Sequence, residues 1–176
     1  MSGQVSFANL AEDLSVSSHT VKSWMGILEG LYLTFRVPPY AGSLVRSLRK
    51  ELKVYFYDCA AAFTGSGPRL ENLVACALLK HCQLQHDARV ARLQLHYFRD
   101  REKREVDFVV TENARVKWCI EVKEEDDHLH RPLAYLRERL KPVACIQLVR
   151  RLTRPREVAG VEILPLAEWL GNLPTG

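Results

Sequence analysis

Apolar residues at positions 7, 10, 11 and 14 recur at helical spacing behind Ser6, whose hydroxyl can cap the helix they define. Ser15-Val16-Ser17-Ser18 makes a short polar break with further capping hydroxyls. Val21, Trp24, Met25 and Leu28 then fall at i, i+3, i+4 and i+7, so a second helix turns one face to a core and leaves Ser18, His19, Lys22 and Ser23 on the other. Tyr32 to Val37 reads as a strand and Lys53 to Tyr57 as its partner. Between them lies an extended wing over 38–52, with Pro38-Pro39, Arg46, Arg49 and Lys50. Two helices and a hairpin predict a winged helix-turn-helix over residues 1–66.

The small, glycine-containing stretch from Ala60 to Pro68 marks the boundary to a second unit, residues 67–176. Apolar positions 70, 73, 74, 77, 78 and 84 predict an amphipathic helix, with Glu71 near its start, where a carboxylate favours the helix dipole. Three strands follow at about 92–98, 105–111 and 116–123. Pro132 opens a helix carrying Leu133, Leu136 and Leu140, stopped by Pro142. Val143 to Val149 is a continuous apolar strand, Val161 to Leu164 another, and 166–170 a short helix. The second unit therefore reads α, β, β, β, α, β.

Charge interrupts two of these strands, Glu105-Val106-Asp107-Phe108-Val109-Val110 and Cys119-Ile120-Glu121-Val122-Lys123. Lys123 shares a face with Glu121 because strand side chains repeat every second residue. Asp107 joins that face only if the hairpin register brings it opposite. Two carboxylates and one ammonium would then suit metal-assisted phosphodiester hydrolysis. Asp107 and Glu121 would hold Mg²⁺ or Mn²⁺, and Lys123 would orient or deprotonate the attacking water. The alternative reading makes Glu105, Glu121 and Lys123 cross-strand ion pairs worth ~0.2–1 kcal/mol on a solvated face.

The order Asp107…Glu121-Val122-Lys123 resembles the D…ExK signature of the PD-(D/E)XK nuclease-like superfamily, whose core runs αβββαβ. Leu70-Glu71-Asn72-Leu73-Val74-Ala75, Tyr97-Phe98-Arg99-Asp100, Glu105-Val106-Asp107-Phe108 and Glu121-Val122-Lys123 resemble one group more closely. It is the C-terminal domain, of unknown function, of predicted bacterial and archaeal AAA-type ATPases. Thr20-Val21-Lys22 and Leu33-Thr34-Phe35-Arg36-Val37-Pro38-Pro39-Tyr40 extend the likeness over nearly the whole chain. The resemblance implies an α/β (α+β) protein in which a winged helix joins an ATPase module to a restriction-endonuclease-like core. It also raises Glu71 to a candidate third acid beside Asp107, Glu121 and Lys123. Gly65-Ser66-Gly67 lacks the GxxxxGK[ST] pattern, so the chain has no P-loop, and the ATPase module of the family is absent from it.

At 176 residues, with 47% hydrophobic and 26% charged positions, the chain has the composition of a soluble globular protein. A net charge of +4 does not by itself announce a nucleic-acid binder. The five cysteines form no CxxC pair and read as reduced core residues of a cytoplasmic protein. No signal peptide and no apolar run near 18 residues is present, so no membrane partner is expected.

Seven basic residues and one acid lie between Arg137 and Arg156, a rim that could follow a phosphate backbone. Against that, Glu124-Glu125-Asp126-Asp127 directly follows Lys123 and would repel phosphate. Two function classes stay open: a Mg²⁺-dependent nuclease acting on nucleic acid, and a catalytically inactive regulatory or protein-interaction module of an ATPase-family protein. DNA reading by the first unit would rest on His19, Lys22, Arg46, Arg49 and Lys50. If the unit serves packing instead, Trp24, Met25 and Tyr32 should be buried against the second half. In either class the purified chain should turn over no ATP, and turnover abolished by Asp107→Ala would expose an overlooked site.

Overall fold

The computed structural model describes residues 4–41, 52–60 and 65–173, and the chain is a mixed α+β protein. The first unit comprises β1 (Gln4–Val5), α1 (Phe7–Asp13), α2 (Ser18–Gly30), β2 (Thr34–Val37) and β3 (Leu52–Phe56). Ser6 caps α1 by accepting from Asn9 N–H, and Ser17 caps α2 by accepting from Thr20 N–H. The three strands form an antiparallel sheet in the order β1-β3-β2. Arg36 of β2 ion-pairs with Glu29 of α2, so the helix is tied to the sheet edge as well as packed on it.

The second unit begins with α3 (Ser66–Asp87), longer at both ends than its apolar pattern indicates. β4 (Leu93–Arg99), β5 (Glu105–Glu112) and β6 (Arg115–Lys123) follow as an antiparallel meander. α4 (Arg131–Leu140) has Pro132 in its first turn, where a missing N–H costs no hydrogen bond. It carries the chain over to β7 (Ala144–Val149), which pairs parallel with β6. β8 (Arg156–Val158), β9 (Val161–Pro165) and α5 (Leu166–Gly171) complete the chain. The sheet order is β4-β5-β6-β7-β9-β8. The short β1 and β8 carry no readable sequence pattern; β8 is exposed along its whole length and is defined only by its pairing to β9.

Central strands of a sheet covered on both faces must be apolar on both sides, and β5 shows it. Phe108 and Val110 pack into one core with Val74, Ala75 and Leu78 of α3, while Val106 and Val109 pack into another with Leu133 and Leu136 of α4.

The two units share a core. Phe35, Val37 and Tyr55 of the first belong to the same buried cluster as Leu70, Leu95 and Phe108 of the second. Beyond β2 the backbone runs along β4: Tyr40 N–H donates to the Tyr97 carbonyl at 2.7 Å, and Tyr97 N–H to the Pro38 carbonyl at 3.1 Å. The start of the expected wing is thus pinned to the large sheet. Its basic residues Arg46, Arg49 and Lys50 lie outside the described residues.

The expected burial of α2 against the second half needs correction. Met25 is buried, but with Ala11, Val21 and Val54 in the first unit's own core. Trp24 and Tyr32 are 46% and 74% exposed. The unit docks instead through its sheet, because β3 is buried on both faces: Val54 faces the helices, while Lys53 and Tyr55 reach the second unit.

A shared core predicts joint unfolding. Phe35→Ala should cost ~3–5 kcal/mol and lower one denaturation midpoint, common to far-UV circular dichroism and tryptophan fluorescence. Two separate transitions in wild type would show that the units fold independently.

Candidate functional site

The pairing Phe108↔Ile120 sets Asp107 opposite Glu121, yet beyond it the β5–β6 backbone ladder stops. Side chains take over its hydrogen bonds. Glu121 Oε2 accepts the Asp107 N–H at 3.3 Å, and Asp107 Oδ2 accepts the Val122 N–H at 3.0 Å. Each carboxylate thus reaches across to the opposite strand, meeting the demand that buried backbone donors be paired. Lys123 Nζ donates to Glu121 Oε1 at 2.6 Å. Asp107, Glu121 and Lys123 are therefore brought together where the two strands part.

Glu71 joins from α3 through a residue whose role sequence reasoning missed. Lys53, fully buried, places its Nζ 2.8 Å from Glu105, 3.0 Å from Glu71 and 3.4 Å from Asp107. Tyr55, two residues along β3, donates its hydroxyl to the same Glu71 oxygen at 2.7 Å. The Tyr97 ring lies beneath the ammonium, 5.6 Å away. Glu71 is accordingly no helix-start carboxylate: it sits on the second turn of α3 and is buried as a partner of Lys53 and Tyr55. One signal pointed to Lys53, a lysine on the same side as Tyr55 in the otherwise apolar strand Leu52-Lys53-Val54-Tyr55-Phe56.

His130, just before α4, was also missed. Its Nε2 lies 2.9 Å from the Glu105 carbonyl and 3.5 Å from Glu121 Oε1. Gln147 of β7 accepts the His130 N–H at 2.9 Å and donates to the Asp126 and His128 carbonyls, so it anchors the whole 126–130 loop.

Burial and opposed charges set the protonation of the cluster. Burial works against the Lys53 charge, but Asp107, Glu71 and Glu105 together outweigh it, and its pKa lies above the ordinary lysine value. Burial, then the neighbouring Asp107, push Glu121 up to about 8, against the pull of Lys123. Burial and Asp107 also raise Glu71. Burial pushes His130 down, so at neutral pH it is an uncharged imidazole.

Three residues of the expected acidic run pair with three of the expected basic rim. Arg150 pairs with Glu124 at 3.0 Å, Arg151 with Glu125, and Arg156 with Asp127 at 2.9 Å. Asp126 is held below the usual carboxylate range by the backbone and ring of His128. Three of the four acids are thus paired with arginines of the chain, whereas the charge of Asp126 is felt at Lys123 and His130.

Among Glu71, Glu105 and Asp107 a divalent cation does not fit beside Lys53 as the side chains stand. The place where three carboxylates converge holds the Lys53 ammonium, and a dication among the same oxygens would stand within a few ångströms of it. Among the described residues no group of three or more His, Cys, Asp or Glu is disposed to hold a metal ion.

This is an α+β protein whose two units are joined through a buried acid–lysine cluster. Residues 66–169, more than half of the chain, match the domain of unknown function DUF4143, and the chain belongs to that family, which occurs in AAA-ATPase-associated proteins. Residues 1–66 match a second domain of unknown function, DUF8612. No curated protein and no solved structure matches the chain. No helix among the described residues is long and apolar enough to cross a membrane.

Lys53→Met should destabilise the protein by ~3–5 kcal/mol, because it strands buried carboxylates without a counter-charge; urea denaturation measures it. Glu121 makes a further prediction. A carboxyl group raised in the folded state stabilises fully below its unfolded value, and that stability is lost as pH rises through the folded value. Wild type should therefore lose stability between pH 4.5 and about 8, by at most ~1.4 kcal/mol per pH unit from this group. In Glu121→Gln the decline should be shallower over the same range, and an unchanged slope would refute the assignment.

Proposed function

We propose that this chain is a catalytically silent regulatory or protein-interaction module, built on a winged-helix unit and a PD-(D/E)XK-like core and serving an AAA-type ATPase. One observation carries the reading. Of the acids that a nuclease of that class would turn to its metal and substrate, Asp107 and Glu71 are here engaged by Lys53, a buried cation of the chain itself. The cluster works as a fastening between units. The pairing of Arg150, Arg151 and Arg156 with acids of the chain supports the same reading, since a phosphate backbone would have to compete for them.

The interaction role finds support on α2. Trp24, Ile27 and Leu31 form an exposed stripe on one side of that helix, continued by exposed Tyr32 and Leu33. An apolar face wider than the core it covers is the usual mark of a protein contact.

The second reading is the metal-dependent nuclease, with Asp107 and Glu121 as Mg²⁺ or Mn²⁺ ligands, Lys123 at the water and Glu71 assisting. The meeting of Asp107, Glu121 and Lys123 where β5 and β6 part favours it.

One assay separates the two. Purified wild type, supplied with Mg²⁺ or Mn²⁺ and single- or double-stranded DNA or RNA, should cleave no faster than Asp107→Ala. Metal-dependent cleavage lost in Asp107→Ala would overturn the silent-module reading and establish the nuclease. On the binding side, the combined variant Trp24→Ser, Ile27→Ser, Leu31→Ser should fold normally and lose at least tenfold in affinity for the ATPase, about 1.4 kcal/mol. Unchanged affinity would remove α2 from the contact.

A further inference from the structure

Cys59 and Cys76 belong to different family matches, yet their sulfurs lie 3.6 Å apart. Cys59 sits in the turn that leaves β3, and Cys76 lies on α3 one turn beyond Asn72. Both are half-buried, whereas Cys82, Cys119 and Cys145 are buried. The expectation that the cysteines are core residues holds in full for those three, while Cys76 is only partly buried against the core and Cys59 lies in the turn.

Asn72, fully buried, holds the corner in place. Its side-chain carbonyl accepts the Phe56 N–H at 2.8 Å, and its amide donates to the Phe56 carbonyl at 2.8 Å. The same amide reaches Cys59 Sγ at 3.3 Å and Cys76 Sγ at 3.7 Å, and Cys76 Sγ also lies 3.2 Å from the Phe56 carbonyl. The end of β3 is thus clasped to α3, with the two thiols side by side. A disulfide requires a further approach on the order of 1–2 Å. The turn around Cys59 can supply it, since Asp58 and Ala60 beside it are exposed.

We infer that Cys59 and Cys76 form a reversible disulfide that fastens the N-terminal unit to α3, with a low-molecular-weight disulfide such as glutathione disulfide as the oxidant. Cys59 loses its proton and attacks one sulfur of the oxidant; a glutathione thiolate leaves, and a mixed disulfide forms on Cys59. Cys76 then loses its proton and attacks the Cys59 sulfur, expelling the second glutathione thiolate. Two protein thiols are oxidised to one disulfide, the oxidant is reduced to two thiols, and these take up the two protons. Burial, and next the neighbouring Cys59, push the Cys76 thiol up to about 12. The second step is therefore slow at neutral pH and quickens as pH rises.

The bridge joins the same two elements that Lys53, Tyr55 and Glu71 already join, at the opposite end of β3. Oxidation should make the junction harder to open without altering the acid cluster.

The full chain, equilibrated with excess glutathione disulfide, alkylated in denaturant and peptide-mapped, tests this. Three of the five cysteines should take the label, with Cys59 linked to Cys76 and the protein lighter by two hydrogen atoms. Tm should rise by roughly 5–10 °C, as expected for closing so short a loop. Dithiothreitol should reverse both changes. Cys76→Ser should fold like wild type, stop at a glutathione adduct on Cys59 and show no rise in Tm. Five labelled cysteines, a Cys119–Cys145 bridge in place of this one, a stable glutathione adduct in wild type, or an unchanged Tm after bridging would each overturn the inference.

Discussion

A buried ammonium must be surrounded by acceptors, and most of this structure's organisation can be traced to meeting that need for Lys53. An isolated charge in a protein interior is far costlier than a paired one. Lys53 lies on a strand whose opposite face is already committed to the first unit's core through Val54. Its acceptors must come from elsewhere, and they do: Glu71 from α3, Glu105 and Asp107 from β5. Removing any one leaves the others over- or under-compensated. The cluster thereby fixes three elements at once, and the apolar contacts of Phe35, Val37 and Tyr55 close around it.

The same compensation operates along the loop after β6. An acidic run and a group of arginines, read separately, argue in opposite directions about phosphate. Folded, three members of each pair with one another. Surface pairs of this kind contribute little to stability, but a polyanion would have to compete with acids of the chain for these three arginines. Charge satisfied within the chain, at the cluster and around it, is the common theme.

The end of β5–β6 pairing shows how a local irregularity prepares chemistry. Two strands that part leave N–H groups unpaired, and Asp107 and Glu121 bind them with their carboxylates. The side chains are held by backbone obligations, so their geometry is rigid whether the cluster fastens or reacts. Asn72 plays the corresponding part at the other end of β3, where its amide satisfies Phe56 and aligns two thiols.

What the sequence determined was whatever depends on neighbours in the chain. Caps at Ser6 and Ser17, the apolar periods of α2, α3 and α4, the alternation of β5 and β6 and the shared direction of Glu121 and Lys123 all follow from local rules. Tertiary structure decided everything that needed a partner distant in sequence. Lys53 reads as one more polar strand residue until α3 and β5 close over it. Trp24 has the right helical spacing to be core, but spacing sets only which side it lies on, and the sheet reaches no further than Val21 and Met25. Cys59 and Cys76 lie in different family matches and meet where Asn72 binds the end of β3. The short strands β1 and β8 exist only through pairing, since two or three residues carry no period. Periodicity records where a side chain points; charge pairing and burial depend on what the fold brings to meet it.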